Sequence, residues 1–334
     1  MAKTAYLQTG QITCHDTRGH EVTCRGSGQD GEFRKGAAWP EPRFDADEYT
    51  VTDRLTGLVW CRDASLAEFP LMWQEALDYI ARMNDEDALG FSDWRLPNRR
   101  ELRSLISHQT KQPALPQNHP FTQVFNGWYW SSTTATISPA HAWYVDMGGG
   151  RMFYGGKDQS FMLWPVRGPG NGLIPVTGQT QCYNDTGESI PCTGTGQDGA
   201  FSPGACWPVP RFEATQDRVL DCLTGLYWKR VTDLDGPLDW QQALVAITQL
   251  NSLPNGSHDW RLPNINELES LVDCSTHSPA LPPQHPFLSL QDVYWSSTTS
   301  LYEPDWAWAL YLNKGAIGVR QKIQARFHAW AVRN

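Results

Sequence analysis

The strongest constraint on the fold is an internal repeat of about 165 residues. Short motifs recur in the same order in both halves, at an offset that changes only from 168 to 165. They are TGQ with a following Cys, GQDG, PRF, TGL, DWRLPN followed by EL, HPF, YWSSTT and a closing VR. Ordered motifs at nearly constant spacing indicate a duplicated domain. We therefore predict two copies, residues 1–168 and 177–334, joined by a linker at residues 169–176.

Length and composition fit this division. A chain of 334 residues suits two domains, and an apolar content of 40% with sixteen Trp supplies two packed cores. No run approaches the roughly 18 apolar residues of a membrane span, and no hydrophobic signal segment follows Met1. The net charge of -9 argues against nucleic acid or an anionic membrane as the partner, although it leaves room for a local basic patch.

The DWRLPN motif predicts a helix start in each copy. Asn98 and Glu101, like Asn264 and Glu267, have the three-residue spacing of a capping box. The Leu-Pro before each Asn keeps the chain extended up to the cap, because a residue preceding proline avoids the α region. The helix following each Asn should therefore begin at a fixed corner of the fold.

The rest of each copy predicts an α+β domain. The segments 50–60 and 218–228 resemble hairpins, and an apolar period of i, i+3, i+4, i+7 from Trp73 and from Trp240 predicts a helix in each copy. Short strands around residues 129–130 and 143–147 then precede a glycine turn and a return strand. We expect two helices beside a mostly antiparallel sheet in each copy.

The cysteines predict an oxidising compartment. Cys14 and Cys24 are ten residues apart, and Cys182 and Cys192 repeat this spacing, which favours a local disulfide in each copy over a metal site. CxxC-like clustering, which zinc sites need, is absent from the sequence.

The other four cysteines are not repeated. Cys206 and Cys222 occur only in the second copy, and their joint appearance suggests a third disulfide. Cys61 and Cys274 are expected to be free thiols, with a bridge between the copies as the alternative.

Taken together, the TGQ opening, the cysteine pair, the TGL hairpin, DWRLPN with EL, YWSSTT and the closing VR make each copy similar to the bacterial Lcl C-terminal domain family. The resemblance implies two tandem C-type-lectin-like domains that are secreted or displayed at the cell surface. It also implies adhesion, including binding of sulfated glycans. Many members carry a Cys before the final VR, where this chain has Pro165 and Ala331, so the local cysteine pairs must supply that stabilisation.

The same superfamily includes the formylglycine-generating enzymes, which hold copper with cysteines late in the domain. This chain has no Cys after Cys274, and its first copy has none after Cys61. We therefore expect no enzymatic activity, no metal and no cofactor.

Several polar motifs permit a catalytic or binding interpretation, but structural roles are favoured. Asp93, Arg95 and Glu101 could form an active-site trio, yet an Arg–carboxylate pair and a capping box explain them. The YWSSTT hydroxyls lack a His and Asp arrangement for nucleophilic catalysis, so we expect them to bond to backbone, with a sugar site as the alternative. His119 and His285 are expected to be buried or in turns, since one His per copy is a poor metal site.

The GQDG loops raise the question of calcium. Each contains one Asp and lacks the spaced oxygen ligands of a calcium loop, so a turn is predicted.

The final strands offer the candidate ligand-binding residues. Residues 306–334 contain five basic and no acidic residues. If they share a face, they would attract sulfate, carboxylate or phosphate groups, unless they pair with the acids of the same copy. The predicted binding residues are Lys314, Arg320, Lys322 and Arg326 in the second copy, and Arg151, Tyr154 and Lys157 in the first.

The sequence thus favours a non-enzymatic extracellular binding or adhesion protein. The expected partner is a glycan, such as a sulfated or acidic polysaccharide, or a surface protein, and the chain is expected to be able to form a homo-oligomer. The alternative is a structural subunit of a surface assembly or filament, in which exposed Trp-rich loops contact other chains.

Overall fold

A computed structural model describes residues 6–253 and 258–334. The helices among them are α1 (Asp30–Phe33), α2 (Trp73–Asp85), α3 (Arg99–Ser104), α4 (Asp198–Phe201), α5 (Trp240–Asn251) and α6 (Ile265–Ser270), with a 3-10 turn at Ala88–Gly90. The chain is α+β, and its two halves repeat the same three α-helices and most of the strands, as the sequence predicts.

The strands are short and antiparallel. In chain order they are β1 (Cys14–His15), β2 (Glu21–Val22), β3 (Phe44–Ala46), β4 (Thr50–Asp53), β5 (Val59–Cys61), β6 (Leu71–Met72), β7 (Trp128–Thr134), β8 (His141–Asp146), β9 (Met152–Gly156), β10 (Ser160–Phe161), β11 (Val166–Arg167), β12 (Cys182–Tyr183), β13 (Ser189–Ile190), β14 (Phe212–Ala214), β15 (Arg218–Asp221), β16 (Leu226–Lys229), β17 (Val293–Thr299), β18 (Trp306–Tyr311), β19 (Ala316–Gln321) and β20 (Val332–Arg333).

The chain folds into two compact units that do not coincide with the two sequence copies. Unit 1 contains Met1–Ala38, Trp207–Val272 and Thr276–Asn334, whereas unit 2 contains Trp39–Cys206 and Asp273–Ser275. The opening segment of each copy therefore belongs to the unit formed by the other copy. We call residues 6–38 the first arm and residues 174–206 the second arm. The rest of each unit is its body.

Each body contains a four-stranded and a three-stranded antiparallel sheet. In unit 1 the four-stranded sheet has the order β14-β15-β16-β20, and β18 pairs with both β17 and β19. In unit 2 the corresponding strands are β3-β4-β5-β11 and β7-β8-β9, and β6 pairs with β10. The hairpins predicted at residues 50–60 and 218–228 are confirmed as β4–β5 and β15–β16.

Large aromatic side chains form the cores. In unit 2, Trp164 contacts Trp60 and Phe121 edge-on, and in unit 1 Trp330 contacts Phe287 edge-on and packs against Trp228 at a tilt of 58°. Twelve of the sixteen Trp are buried and the other four are half-buried. The exposed Trp-rich loops expected for a surface assembly are therefore not present.

The predicted helix corner is confirmed in both copies. The Asn98 and Asn264 side chains cap α3 and α6, and the side chains of Glu101 and Glu267 complete the capping boxes. The same two carboxylates hold Arg95 and Arg261 in two-pronged ion pairs, with N–O distances of 2.5–2.6 Å. Arg95, Glu101 and their counterparts thus build the corner, as the structural interpretation expects.

The two local disulfides are confirmed, one in each arm. Cys14 is bonded to Cys24, and Cys182 to Cys192. Because each pair closes a short loop around a two-stranded hairpin, the disulfide fixes an arm that has little core of its own.

The predicted third disulfide, Cys206–Cys222, is wrong. Both residues are free thiols. Cys206 lies in the second arm and so belongs to unit 2, whereas Cys222 belongs to unit 1; we call this assignment of each arm to the unit of the other copy the arm exchange. Cys61 and Cys274 are buried free thiols, which confirms the favoured prediction for them.

Replacing Cys14 and Cys24 with Ser should destabilise unit 1. The loop-entropy model assigns about 3 kcal/mol to a disulfide spanning this short separation. Thermal unfolding of the oxidised protein and the double variant measures the loss. The control is Cys206→Ser, which removes an exposed free thiol and should unfold like the parent. Equal midpoints for parent and double variant would show that the disulfide does not stabilise the arm.

Candidate functional site

Two predicted ligand-binding lysines are buried parts of the fold. The Lys322 ammonium donates to the carbonyl oxygens of His15 (3.1 Å), Asp16 (3.1 Å) and Pro304 (2.9 Å). It also lies 4.1 Å from the centre of the Trp240 ring. Lys322 therefore holds the hairpin of the first arm and is not available to a ligand, contrary to the prediction.

Lys157 has the same role in unit 2. Its ammonium donates to the carbonyl oxygens of Tyr183 and Asn184, both at 3.0 Å, and lies 4.0 Å from the Trp73 ring centre. Burial lowers the pKa of each lysine to about 7. The sequence prediction placed Lys157 and Lys322 at the surface because the sequence does not reveal that an arm covers each of them.

The other basic residues of the final strands do not form an anion-binding site. Arg326 forms a 3.0 Å ion pair with Asp239, and Arg333 forms one with Asp259, so acids of the same copy neutralise them, as the alternative allowed. Arg320 is exposed on β19, and Lys314 is half-buried in the turn before it. With Lys322 buried and two arginines ion-paired, the five basic residues of this segment do not form one continuous anion-binding patch.

The predicted residues of the first copy are also partly enclosed. Arg151 is half-buried near the carboxylate of Asp146. Tyr154 is half-buried against the Trp143 ring, at a centroid distance of 5.2 Å, and burial raises its pKa. These side chains support β9 and do not form an open anion-binding face.

The hydroxyl residues of YWSSTT are buried in both units, which leaves no room for the sugar site considered there. In unit 2, Ser131 donates to the carbonyl oxygen of Trp143, as the favoured interpretation expects. Thr133 instead donates to the carboxylate of Asp198 in the second arm, at 2.8 Å. In unit 1, Thr298 donates to Asp30 of the first arm at 2.8 Å. The motif is thus the strand on which an arm docks.

The GQDG turns supply the buried carboxylates of this docking site. Asp30 and Asp198 begin the short helices α1 and α4, so the GQDG segments are helix starts where a turn was predicted, and their carboxylates accept from threonine hydroxyls. Burial raises the pKa of each carboxyl to about 6, despite the hydroxyl groups that lower it. The described residues contain no cluster of three or more His, Cys, Asp or Glu suited to a metal ion.

The TGQ motifs complete the docking site, and sequence reasoning did not identify them. The Gln11 side chain bonds to both the N–H and the carbonyl oxygen of Thr299, at 2.9 and 2.8 Å. Gln179 makes the same two bonds to Thr134. The available signal was that both copies have Gln at this position, although a Gln there neither caps a helix nor forms a turn.

The paired histidines have structural surroundings. His119 and His285 are half-buried beside Phe121 and Phe287, and burial lowers the pKa of both rings. This agrees with the expectation of a packed or turn histidine.

A groove in unit 2 is the best candidate for binding a ligand. It has a volume of about 390 Å³ and lies between α2 and the loop that leads into α4. Leu77 and Ile80 form its floor, while Asp78, Asp85 and Gln74 lie on the exposed side of α2. Phe201, 55% exposed, lines the groove from the second arm. The groove thus combines an apolar floor, polar rim groups and an exposed aromatic ring.

The acidic rim is particular to unit 2. Its groove residues Asp78 and Asp85 correspond to Val245 and Ser252 on α5 of unit 1. Unit 2 contains twelve basic and twenty acidic residues, a net charge of -8, whereas unit 1 has fifteen and sixteen, a net charge of -1. The groove therefore favours neutral or cationic ligands over anionic ones.

A second cleft of about 560 Å³ lies beside Lys157 in unit 2. It is lined by Glu75, Asp158, Asp185 and the ring of His141, which accepts or donates a 2.8 Å bond with Ser138. Phe, Tyr and Trp are absent from its lining, so this cleft lacks an exposed ring like that of Phe201 in the groove.

None of the helices in the described residues has the length and apolar character that crossing a membrane requires. No curated protein matches the chain. The sequence profile of the Lcl C-terminal domain matches residues 49–167 and 217–333, which lie within the two bodies and include neither arm. The chain therefore belongs to the Lcl C-terminal domain family and contains two copies of that domain.

Proposed function

We propose that this chain is a non-enzymatic extracellular binding protein that holds a glycan in the groove of unit 2. The observation that carries the proposal is the groove itself, at about 390 Å³, which falls within the roughly 300–1,000 Å³ of small-molecule sites. Family membership and the two arm disulfides support a secreted or surface location, since such bonds persist in oxidising compartments.

The chemistry of the groove suits a sugar. The carboxylates of Asp78 and Asp85 can accept hydrogen bonds from sugar hydroxyl groups, and the Gln74 amide can both accept and donate them. The ring of Phe201 offers an apolar face to the C–H side of a pyranose. The negative charge of unit 2 favours a neutral or amine-bearing sugar there, so the sulfated ligand implied by the family resemblance would have to bind unit 1 near Arg320.

The proposal that the chain is not an enzyme has its own support. The polar groups most like a catalytic set are the YWSSTT threonines with Asp30 and Asp198, and Thr298 and Thr133 donate to these carboxylates in docking the arms. These groups do not line the groove.

Phe201→Ala should weaken glycan binding about tenfold, a loss of about 1.4 kcal/mol, because the exposed stacking face is removed. Asp78→Asn with Asp85→Asn should weaken an amine-bearing sugar more than its neutral counterpart. Glycan-array screening followed by calorimetry on the strongest neutral, amine-bearing and sulfated oligosaccharides provides the measurement.

Phe69→Ala is the matched control, since Phe69 is 70% exposed in unit 2 but does not line the groove. Binding unchanged by the groove variants would contradict the groove proposal. Binding restricted to sulfated glycans, steeply salt-dependent and lost in Lys314→Ala with Arg320→Ala, would move the site to unit 1.

A further inference from the structure

The arm-docking site of unit 1 is built from contacts that any copy of the first arm can make. We propose that this site is an interaction surface for a second molecule of the same chain, which inserts its own first arm (residues 6–38) when the resident arm is absent. The inference concerns the arms and the bodies, and it is independent of ligand binding in the groove.

The first argument is that arm and body are paired by matching contacts and not by proximity in sequence. The first arm precedes the body of unit 2 in the chain, yet it docks on the body of unit 1. Asp30 accepts from Thr298 across 268 residues, and Gln11 bonds to Thr299 across 288. The docking site therefore already accepts an arm from a different domain copy.

The second argument is that the contacts are the same in both units. A buried Asp accepts from a Thr of YWSSTT, a Gln brackets the next Thr, and a buried Lys holds the arm hairpin. The capping Asn adds a fourth contact, because Asn264 donates to the Lys35 carbonyl oxygen and Asn98 to that of Pro203. A site that is used twice in one chain recognises the arm motif itself.

The third argument is that, among the described residues, no disulfide joins the first arm to the body of unit 1 on which it docks. Among the described residues, the disulfide of each arm lies within the arm, so docking rests on hydrogen bonds and packing. An identical arm from a second molecule would make identical contacts, and it loses only the effective concentration that the tether provides. Disabling the resident arm removes that advantage.

Complementation between two full-length variants tests the proposal. Asp30→Lys places a cation where the carboxylate docks, which disables the first arm and leaves the body of unit 1 intact. Lys322→Glu places a carboxylate against the carbonyl oxygens of His15 and Asp16, which disables the body and leaves the arm intact. Each variant is purified alone and the two are then mixed in equal amounts.

The mixture is expected to form a heterodimer of twice the 37.6 kDa chain mass, measured by light scattering. It should also regain the unfolding transition of unit 1 that each variant lacks alone. The control mixture pairs Asp30→Lys with a chain that carries both Asp30→Lys and Lys322→Glu. No intact first arm is present in that mixture, so it should form no dimer and should not regain the unfolding transition of unit 1.

Two folded variants that remain monomers in the mixture, with no recovered transition, would overturn the proposal. If either variant fails to fold, unaltered chains with two different affinity tags are unfolded in denaturant with their disulfides kept, and refolded together at increasing concentration. Mixed-tag dimers that increase with concentration, and that resist dilution until the protein is unfolded again, support arm exchange. Refolding to monomers alone at every concentration overturns it.

Discussion

Lowering the pH from 7 to about 4 should relieve the cost of burying Asp30 and Asp198, and it should raise the free energy of unfolding through these two groups by roughly 2 kcal/mol each. Burial raises the pKa of both carboxyls from 3.8 to about 6. The stabilisation is fully present below the unfolded value of 3.8 and is lost as the pH rises through 6. Each carboxyl faces two threonine hydroxyls and one Arg–Glu ion pair, Arg261–Glu267 or Arg95–Glu101.

The variant Asp30→Asn with Asp198→Asn isolates this effect, because an amide cannot ionise but still accepts from the threonines. Denaturant unfolding at pH 7 and at about pH 4 should show a pH difference that is several kcal/mol smaller in the variant than in the parent. Other carboxylates act equally in both proteins and cancel in the comparison. Identical pH differences would mean that the two carboxyls are not buried as charges at pH 7.

Glu267→Ala should cost about 3–5 kcal/mol, the largest effect expected of a single substitution. The change leaves the buried Arg261 guanidinium without its two-pronged partner and removes the carboxylate that completes the α6 capping box. Thermal or denaturant unfolding gives the loss directly.

An Arg–carboxylate pair whose carboxylate is exposed serves as the control for this prediction. Asp259, 56% exposed at its side chain, forms a 3.0 Å bond with Arg333, and Asp259→Ala should cost no more than about 1 kcal/mol. Similar losses for the two substitutions would contradict the view that burial, and not ion pairing as such, gives the Arg261–Glu267 pair its weight.

Features formed by neighbouring residues could be predicted from the sequence. Asn98 and Glu101 define a helix start within one turn, and Cys14 and Cys24 are close enough to meet in any fold that turns between them. The helix that begins at Trp73 follows from its apolar period for the same reason. Local physics determines each of these features, and one copy suffices to recognise them.

Features that depend on the arm exchange could not be predicted in this way. The third disulfide requires Cys206 and Cys222 in one unit, and the division of the chain separates them. The prediction that Lys322 binds a ligand at the surface is wrong because His15 and Asp16, more than 300 residues away in sequence, cover its ammonium. The groove was missed because Phe201 and Asp78 come from different sequence copies.

The exchange of arms also sets an order of assembly during synthesis on the ribosome. The first arm is translated at the start, but its partners Thr298 and Lys322 lie near the end of the chain. Nearly all of unit 2 precedes them, so that unit can complete its folding first. During most of its synthesis, therefore, the nascent polypeptide carries a first arm whose docking site does not yet exist.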